Sequence, residues 1–190
     1  MPFKTVLITG ANSGIGLAAA RMLAQNGHQV FVACRTRTKA QEAAEKTGAA
    51  GFFECDLASL DSIRSFVQEW DRSTEGNATI DALCLNAGVA LGSRGSTPSY
   101  TKEGFEETVG VNHLGHFILA NLLLKNLEAS CHPQPRIVVT ASSVHDPEQP
   151  GGNRGKAATL GDLSGLKEYA EDGKFDMVSN EVYDGKKAYR

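Results

Sequence analysis

Short apolar runs alternate with longer amphipathic stretches over the first 142 residues of the chain. Five runs, "TVLIT", "QVFVAC", "GFFEC", "DALCLN" and "RIVVTAS", are each a few residues long and rich in β-branched or aromatic side chains. They are too short for buried helices, so the pattern predicts five strands. Between them, Ile15, Ala18, Ala19, Met22 and Leu23 recur at helical spacing, as do Ile63, Phe66, Val67 and Trp70. Each set predicts a helix with one apolar stripe. The stretch "EGFEETVGVNHLGHFILANLLLKNLE" is apolar nearly all round and predicts a long, well-buried helix. Strand and helix in regular alternation predict an α/β fold: a doubly wound, Rossmann-type parallel sheet with right-handed crossovers and helices on both faces.

The remaining residues read differently. "HDPEQPGGNRGKAATLGDLSGL" is rich in Gly and Pro and lacks a sustained period, which predicts loop over residues 145–182. With 190 residues in all, the expectation is a single domain over residues 1–190. A net charge of −3 gives no electrostatic case for a nucleic-acid partner. Cys34, Cys55, Cys84 and Cys131 are scattered, without C-x-x-C or metal-ligand spacing, so no metal is expected and a reducing compartment suits them. "LGHFILANLLL" is too short to span a bilayer and carries His116 and Asn121, so no integral membrane segment is expected. "KTVLITG" reads as a strand running into a glycine turn, which leaves no room for a removable leader. The expected location is cytoplasmic, or a plastid if a leader precedes this sequence.

Chemistry concentrates where strands end. "TGANSGIG" (Thr9 to Gly16) follows the first strand and opens the first helix. Glycines there let the backbone turn tightly and approach a pyrophosphate, while the helix N-terminus offers free N–H donors and a positive dipole end. An ordinary strand-to-helix turn would share the glycines but not both flanking elements. The end of the second strand, where an NAD-binding chain usually places a carboxylate, reads "ACRTRTK". Arg35, with Arg37 and Lys39 beyond it, suits a 2′-phosphate that a carboxylate would repel. The expected cofactor is NADPH; a solvated basic turn is the plain alternative.

Several motifs occur in order: Thr9-Gly10-x-x-x-Gly14-x-Gly16, Asp56-Leu57 after the third strand, Asn86-Ala87-Gly88 after the fourth, Asn112 in the long helix, and Ser142 closing the fifth strand. Together they resemble the short-chain dehydrogenase/reductase family over essentially the whole chain. The resemblance implies that Thr9, Gly10, Asn12, Ser13, Gly14, Ile15, Gly16, Arg35, Asp56, Leu57, Asn86, Ala87 and Gly88 bind the cofactor. Within that set, Asp56 would lie near the adenine and Asn86 would support the central strands. Asn112 would hold a water in a proton relay and Ser142 would orient the substrate oxygen. Read singly, Asp56 could be a helix cap and Asn112 a satisfied buried amide. Ser143 is the alternative to Ser142, set on the other face if the strand is still extended there.

"YTKEGFEETVGVNHLGHF" and "HDPEQPGG" with "LGDLSGL" also resemble light-dependent protochlorophyllide oxidoreductase and its relatives. Two tyrosines then compete for proton donor. Tyr183 and Lys187 have Y-x-x-x-K spacing, but Asp184-Gly185 between them is a turn signal. The subfamily's tyrosine follows an alanine, as Tyr189 does in "DGKKAY", which implies Asn112, Ser142 and Tyr189 as the catalytic set. Its lysine would stand at position 193, beyond Arg190, so the expected sheet is incomplete at its C-terminal end. The subfamily's cysteine before Asn-Ala is Leu85 here, with Cys84 one place earlier. The implied activity is NADPH-dependent hydride transfer to a C=C or C=O of a small-molecule substrate. A nucleotide-binding chain without catalysis is the alternative. Relatives pair through the long helix, so a homo-oligomer through the helix around Asn112 is expected, with Phe117, Leu122 and Leu123 exposed on it.

Overall fold

A computed structural model describes residues 3–73, 79–90, 98–150 and 152. The described residues form two compact units, one of those up to Ala87 with His116–Thr140, the other of those in Gly88–Gly115 with those from Ala141 onward.

The first unit holds the sheet. Its strands are β1 (Thr5–Thr9), β2 (Gln29–Cys34), β3 (Gly51–Glu54), β4 (Ala82–Leu85) and β5 (Arg136–Val139). All pair in parallel, in the order β3-β2-β1-β4-β5, with β1 at the centre. The helices of this unit are α1 (Gly14–Gln25), α2 (Arg37–Thr47), α3 (Leu60–Ser73) and, after β4, the stretch His116–Glu128. Because strand side chains alternate, each face of the sheet collects its own set. Val6, Ile8, Val30, Val32 and Ala82 bury against Ala20 of α1 and Ala40 and Ala43 of α2. Small helix residues let those two helices lie close to the sheet.

The other face takes the bulk. Phe31 meets Trp70 of α3 edge to face at 5.0 Å between ring centroids, and Phe53 meets Phe66 at 5.4 Å. Trp70 is fully buried and Phe66 nearly so. Each such side chain contributes on the order of 1.5–3 kcal/mol by leaving water. The α/β reading and the stripe Ile63, Phe66, Val67 and Trp70 are both borne out.

Three expectations change. On α1, Ile15 and Met22 are 72% and 63% exposed, and the buried residues are Gly16 and Ala20, backed by Leu23 and Ala24. Close approach at Gly16 sets which side of α1 faces inward, and side-chain bulk does not. The long apolar stretch is also not one α-helix. It runs as α4 (Glu107–Val109), a π-helical stretch (Gly110–Gly115) and α5 (His116–Glu128). Phe117 and Leu124 are 60% and 44% exposed and Leu122 lies at 36%, whereas Leu123 is fully buried. Finally, β5 stops at Val139, so Ser142 lies beyond the strand rather than closing it. No helix among the described residues is long and apolar enough to cross a membrane.

In the second unit, Glu106 caps α4. Its Oε2 accepts from the Val109 amide at 2.9 Å and its Oε1 from the Thr108 hydroxyl at 2.9 Å.

Candidate cofactor and active site

The corner between β1 and α1 is interlocked with the end of β4. Gly10 turns with φ +69°, and a Cβ there would lie 2.7 Å from the Cα of Ala87. At Gly16 a Cβ would lie 2.6 Å from the Gly10 carbonyl oxygen and 2.4 Å from Nδ2 of Asn86. Gly10 is thus required by the turn and by packing, and Gly16 by packing. Asn86 ties three strands together: Nδ2 donates to the Thr9 and Gly10 carbonyls at 3.0 and 3.4 Å, and Oδ1 accepts from Thr140 at 3.2 Å. The Thr9 hydroxyl accepts from the amides of Asn86 and Ala87 at 2.9 and 3.0 Å. Thr9 is buried, so its side chain serves the corner from beneath.

What this corner offers a ligand is a helix terminus. Ser13 stands at the N-cap of α1 in extended conformation, yet its side chain makes no capping bond, and the first turn carries no acidic residue. The leading amides of a helix have no partner within it. A Cβ built on Gly14 meets nothing within 4 Å. Asn12, Ser13, Gly14 and Ile15 are all exposed around these amides. A phosphate-bearing ligand therefore fits here by donor chemistry, dipole sign and room.

The three basic residues after β2 are not alike. Arg37 is held by Glu69 at 3.1 Å, its amide donates to Glu54 at 3.0 Å, and its guanidinium lies over the Phe52 ring. Lys39 donates its amide to the hydroxyl of Thr36, which caps α2. Arg35 is exposed, and among the described residues it makes no ion pair. After β3, Asp56 closes its own turn, with Oδ1 accepting from the Ala58 amide at 3.0 Å. The cap of α3 is Ser59, whose carbonyl and hydroxyl accept from the Ile63 and Ser62 amides. Asp56 is therefore not that cap. Leu57 is buried.

Three cysteines of this unit have thiols with raised pKa. Burial pushes the Cys34 thiol up, against donation from the Ala11 and Asn12 amides and the nearby Lys39. Burial pushes Cys55 up to about 12, helped by Asp56 and Cys34. Cys84 is raised by burial alone and packs on the α1/α2 face with Ala82. Leu85, one residue later, is buried too but does not join that cluster.

In the second unit Asn112 holds the chain after Gly88. Its Oδ1 accepts from the Val89 amide at 2.7 Å and its Nδ2 donates to the Val89 carbonyl at 2.9 Å. A Cβ on Gly88 would lie 3.4 Å from that Oδ1. Asn112 sits in the π-helical stretch, a local widening of the helix that recurs at functional sites. Ser142 is exposed and extended, capping the 3-10 turn Ser143–His145, and its hydroxyl accepts weakly from the Val144 amide at 3.4 Å. Ser143 is already in that turn, so strand alternation does not separate the two serines. Tyr183, Lys187 and Tyr189 lie outside the described residues.

The family model described as short chain dehydrogenase matches residues 4–157. The chain belongs to the short-chain dehydrogenase family. Among curated relatives, the chloroplastic protochlorophyllide reductase of Cucumis sativus is 41% identical, over 98% of this chain and 47% of its own length. The chain spans about half the length of the curated relatives it matches. A crystal structure of a putative uncharacterized protein from Mycobacterium paratuberculosis is 32% identical with TM-score 0.65, over 98% of this chain and 56% of that one. An alcohol dehydrogenase from the archaeon Thermococcus sibiricus, complexed with 5-hydroxy-NADP, is 27% identical with TM-score 0.61, over 80% and 63%.

Among the buried polar residues that the sequence motifs do not single out, His116 lies at the cofactor corner. His116 opens α5, is 5% exposed, and places Nε2 2.9 Å from the Thr9 hydroxyl. The only signal was a histidine in an otherwise apolar run, which by itself reads as an ordinary core residue.

Proposed function

We propose that this chain carries the nucleotide-binding part of an NADPH-dependent reductase, with a protochlorophyllide-like tetrapyrrole reduced at a C=C as the favoured substrate. The observation that carries the cofactor choice is the contrast between Arg37, engaged by Glu69 and Glu54, and Arg35, exposed and without an ion pair among the described residues. An available guanidinium matches a 2′-phosphate bidentately. The complex of the archaeal relative with 5-hydroxy-NADP supports the same choice. Identity to protochlorophyllide reductases supports the tetrapyrrole, and a smaller carbonyl compound is the second substrate class.

When bound, the reduced nicotinamide supplies hydride. The N-terminal amides of α1 would hold the pyrophosphate, Arg35 the 2′-phosphate, and Asp56 the adenosine side. Asn112 has its carboxamide committed to Val89, so its share in a proton relay falls to the backbone of the widened helix turn. The Ser142 hydroxyl would orient the substrate oxygen. Tyr189 would give the proton, a task that a neighbouring ammonium eases by lowering a phenol whose ordinary pKa is near 10. The proposed compartment is cytoplasmic, or plastidial as in the chloroplastic relatives.

Calorimetry with both nucleotides tests the reading. NADPH should bind roughly tenfold to a hundredfold more tightly than NADH, and Arg35→Asp should erase or reverse the preference. Equal affinities in a folded sample would overturn it. Where turnover is measured with NADPH and illuminated protochlorophyllide, Tyr189→Phe should abolish it and Tyr183→Phe should leave most of it. The reverse pattern would give the role to Tyr183 and Lys187.

A further inference from the structure

Four polar groups converge on the Thr9 hydroxyl, all within the unit that carries the sheet. The amides of Asn86 and Ala87 lie 2.9 and 3.0 Å from Oγ1, Nε2 of His116 lies at 2.9 Å, and the Cys84 carbonyl at 3.4 Å. A hydroxyl has two lone pairs and one proton. The two amides can only donate, so they take both lone pairs. The proton must then go to His116 or to Cys84.

Were it to go to the more distant carbonyl, Nε2 would meet the oxygen either as a third donor or as lone pair against lone pair. Either would press a donor onto an oxygen with no lone pair left, or lone pair onto lone pair, at 2.9 Å in a buried place, which is unfavourable. Thr9 and His116 are 2% and 5% exposed, so bulk water does not substitute.

We infer that His116 is a positioning residue for the cofactor corner: a neutral imidazole carrying its proton on Nδ1, whose Nε2 accepts from Thr9 and keeps the Thr9 lone pairs aimed at the Asn86–Ala87 backbone. Rotation of that hydroxyl would release both amides. Asn86 would then lose the anchor that lets its carboxamide reach the Thr9 and Gly10 carbonyls, and through them the turn that leads into α1. The link runs from a residue of α5 beneath the sheet's end to the lip of the candidate phosphate site.

The test uses the 190-residue chain labelled with ¹⁵N. Two-bond ¹H–¹⁵N correlation at neutral pH should show His116 as the Nδ1–H tautomer, the less common form of a free imidazole. An Nε2–H tautomer or a doubly protonated ring would overturn the inference. Amide exchange gives the second readout. His116→Phe should speed exchange at Asn86 and Ala87 by about tenfold, with Leu7 and Ile8 little changed. His116→Gln, whose Oε1 can accept where Nε2 does, should restore protection. Unchanged exchange at Asn86 and Ala87, or a uniform rise across the sheet without rescue by Gln, would reduce His116 to a packing residue. Affinity for NADPH, which rests on the function proposed above, should fall about fivefold in His116→Phe and recover in His116→Gln. A wild-type chain that binds no NADPH would overturn that function, while tautomer and exchange would still decide the role of His116.

Discussion

β1 and β5 have nearly the same sequence character and opposite surroundings. "TVLI" in β1 places Val6, Leu7 and Ile8 at 2% exposure or less, while Ile137, Val138 and Val139 in β5 are 43%, 44% and 62% exposed. β1 pairs on both sides, with β2 and β4, and is covered on both faces. Among the described residues β5 pairs with β4 alone. Apolar, β-branched composition thus makes a strand, but its energetic weight depends on its place in the sheet order. That place is a tertiary property.

The largest effect expected from this contrast comes from cavity formation. Leu7→Ala should cost about 3–5 kcal/mol in urea unfolding, because a fully buried leucine leaves a void that the centre of the sheet cannot fill. Ile137→Ala should cost under about 1 kcal/mol, since much of that side chain is already in water. Equal costs would mean that β5 is buried in solution, and would break the comparison.

Next in size is the corner that β1 leads into. Gly16→Ala should destabilise the protein by about 2–3 kcal/mol, since the new methyl would overlap both the Gly10 carbonyl and the Asn86 carboxamide. A cost near zero would show that α1 can lift away from the sheet without penalty.

The thiols sharpen the comparison as a function of pH. Cys55 is buried, and its thiol is pushed up to about 12 from an ordinary 9.0. Its folded-state pKa is raised, so the unfolded chain loses this proton first as pH rises. The stabilising contribution is full below about pH 9 and declines between about 9 and 12, by on the order of 1 kcal/mol per pH unit. Cys55→Ala should flatten that part of the stability profile. In the folded protein, thiol reagents should reach the exposed Cys131, just before β5, and leave Cys34 and Cys55 unmodified.

The smallest effect concerns the tie between α3 and α5. Burial pushes the Asp71 carboxyl up, but hydrogen bonds from Lys125 and Asn126 outweigh it, and the net shift is downward. Its contribution is therefore present above the ordinary carboxylate range and is lost as pH falls through the depressed value. Asp71→Asn should remove that acid dependence at a cost of roughly 0.5 kcal/mol at neutral pH, because Lys125 is largely exposed.

Much of this was legible along the chain. The five strands, the parallel order implied by helical crossovers, and the stripe of α3 follow from local periodicity, because alternation and helical spacing are properties of the backbone alone. So does the glycine turn from Thr9 to Gly16, set between a strand and a helix. The inward side of α1 was not legible. Gly16 and Ala20 carry too little apolar area to register beside Ile15 and Met22, and only contact with Gly10 and Asn86 turns them inward. The same holds for α2, whose buried residues are Ala40, Ala43 and Thr47.

What the sequence by itself determined is the class of fold, the order of its elements and the family to which it belongs, since each rests on spacing within a few tens of residues. Only the tertiary structure decided that Arg37 is engaged, because Glu69, some thirty residues away in sequence, pairs with it, while Arg35 makes no ion pair among the described residues. Only the tertiary structure brought Thr9, Asn86 and His116 to one point. Their convergence depends on a parallel sheet that sets β1 beside β4 and lays α5 against β4, and no local pattern encodes contacts made across a hundred residues.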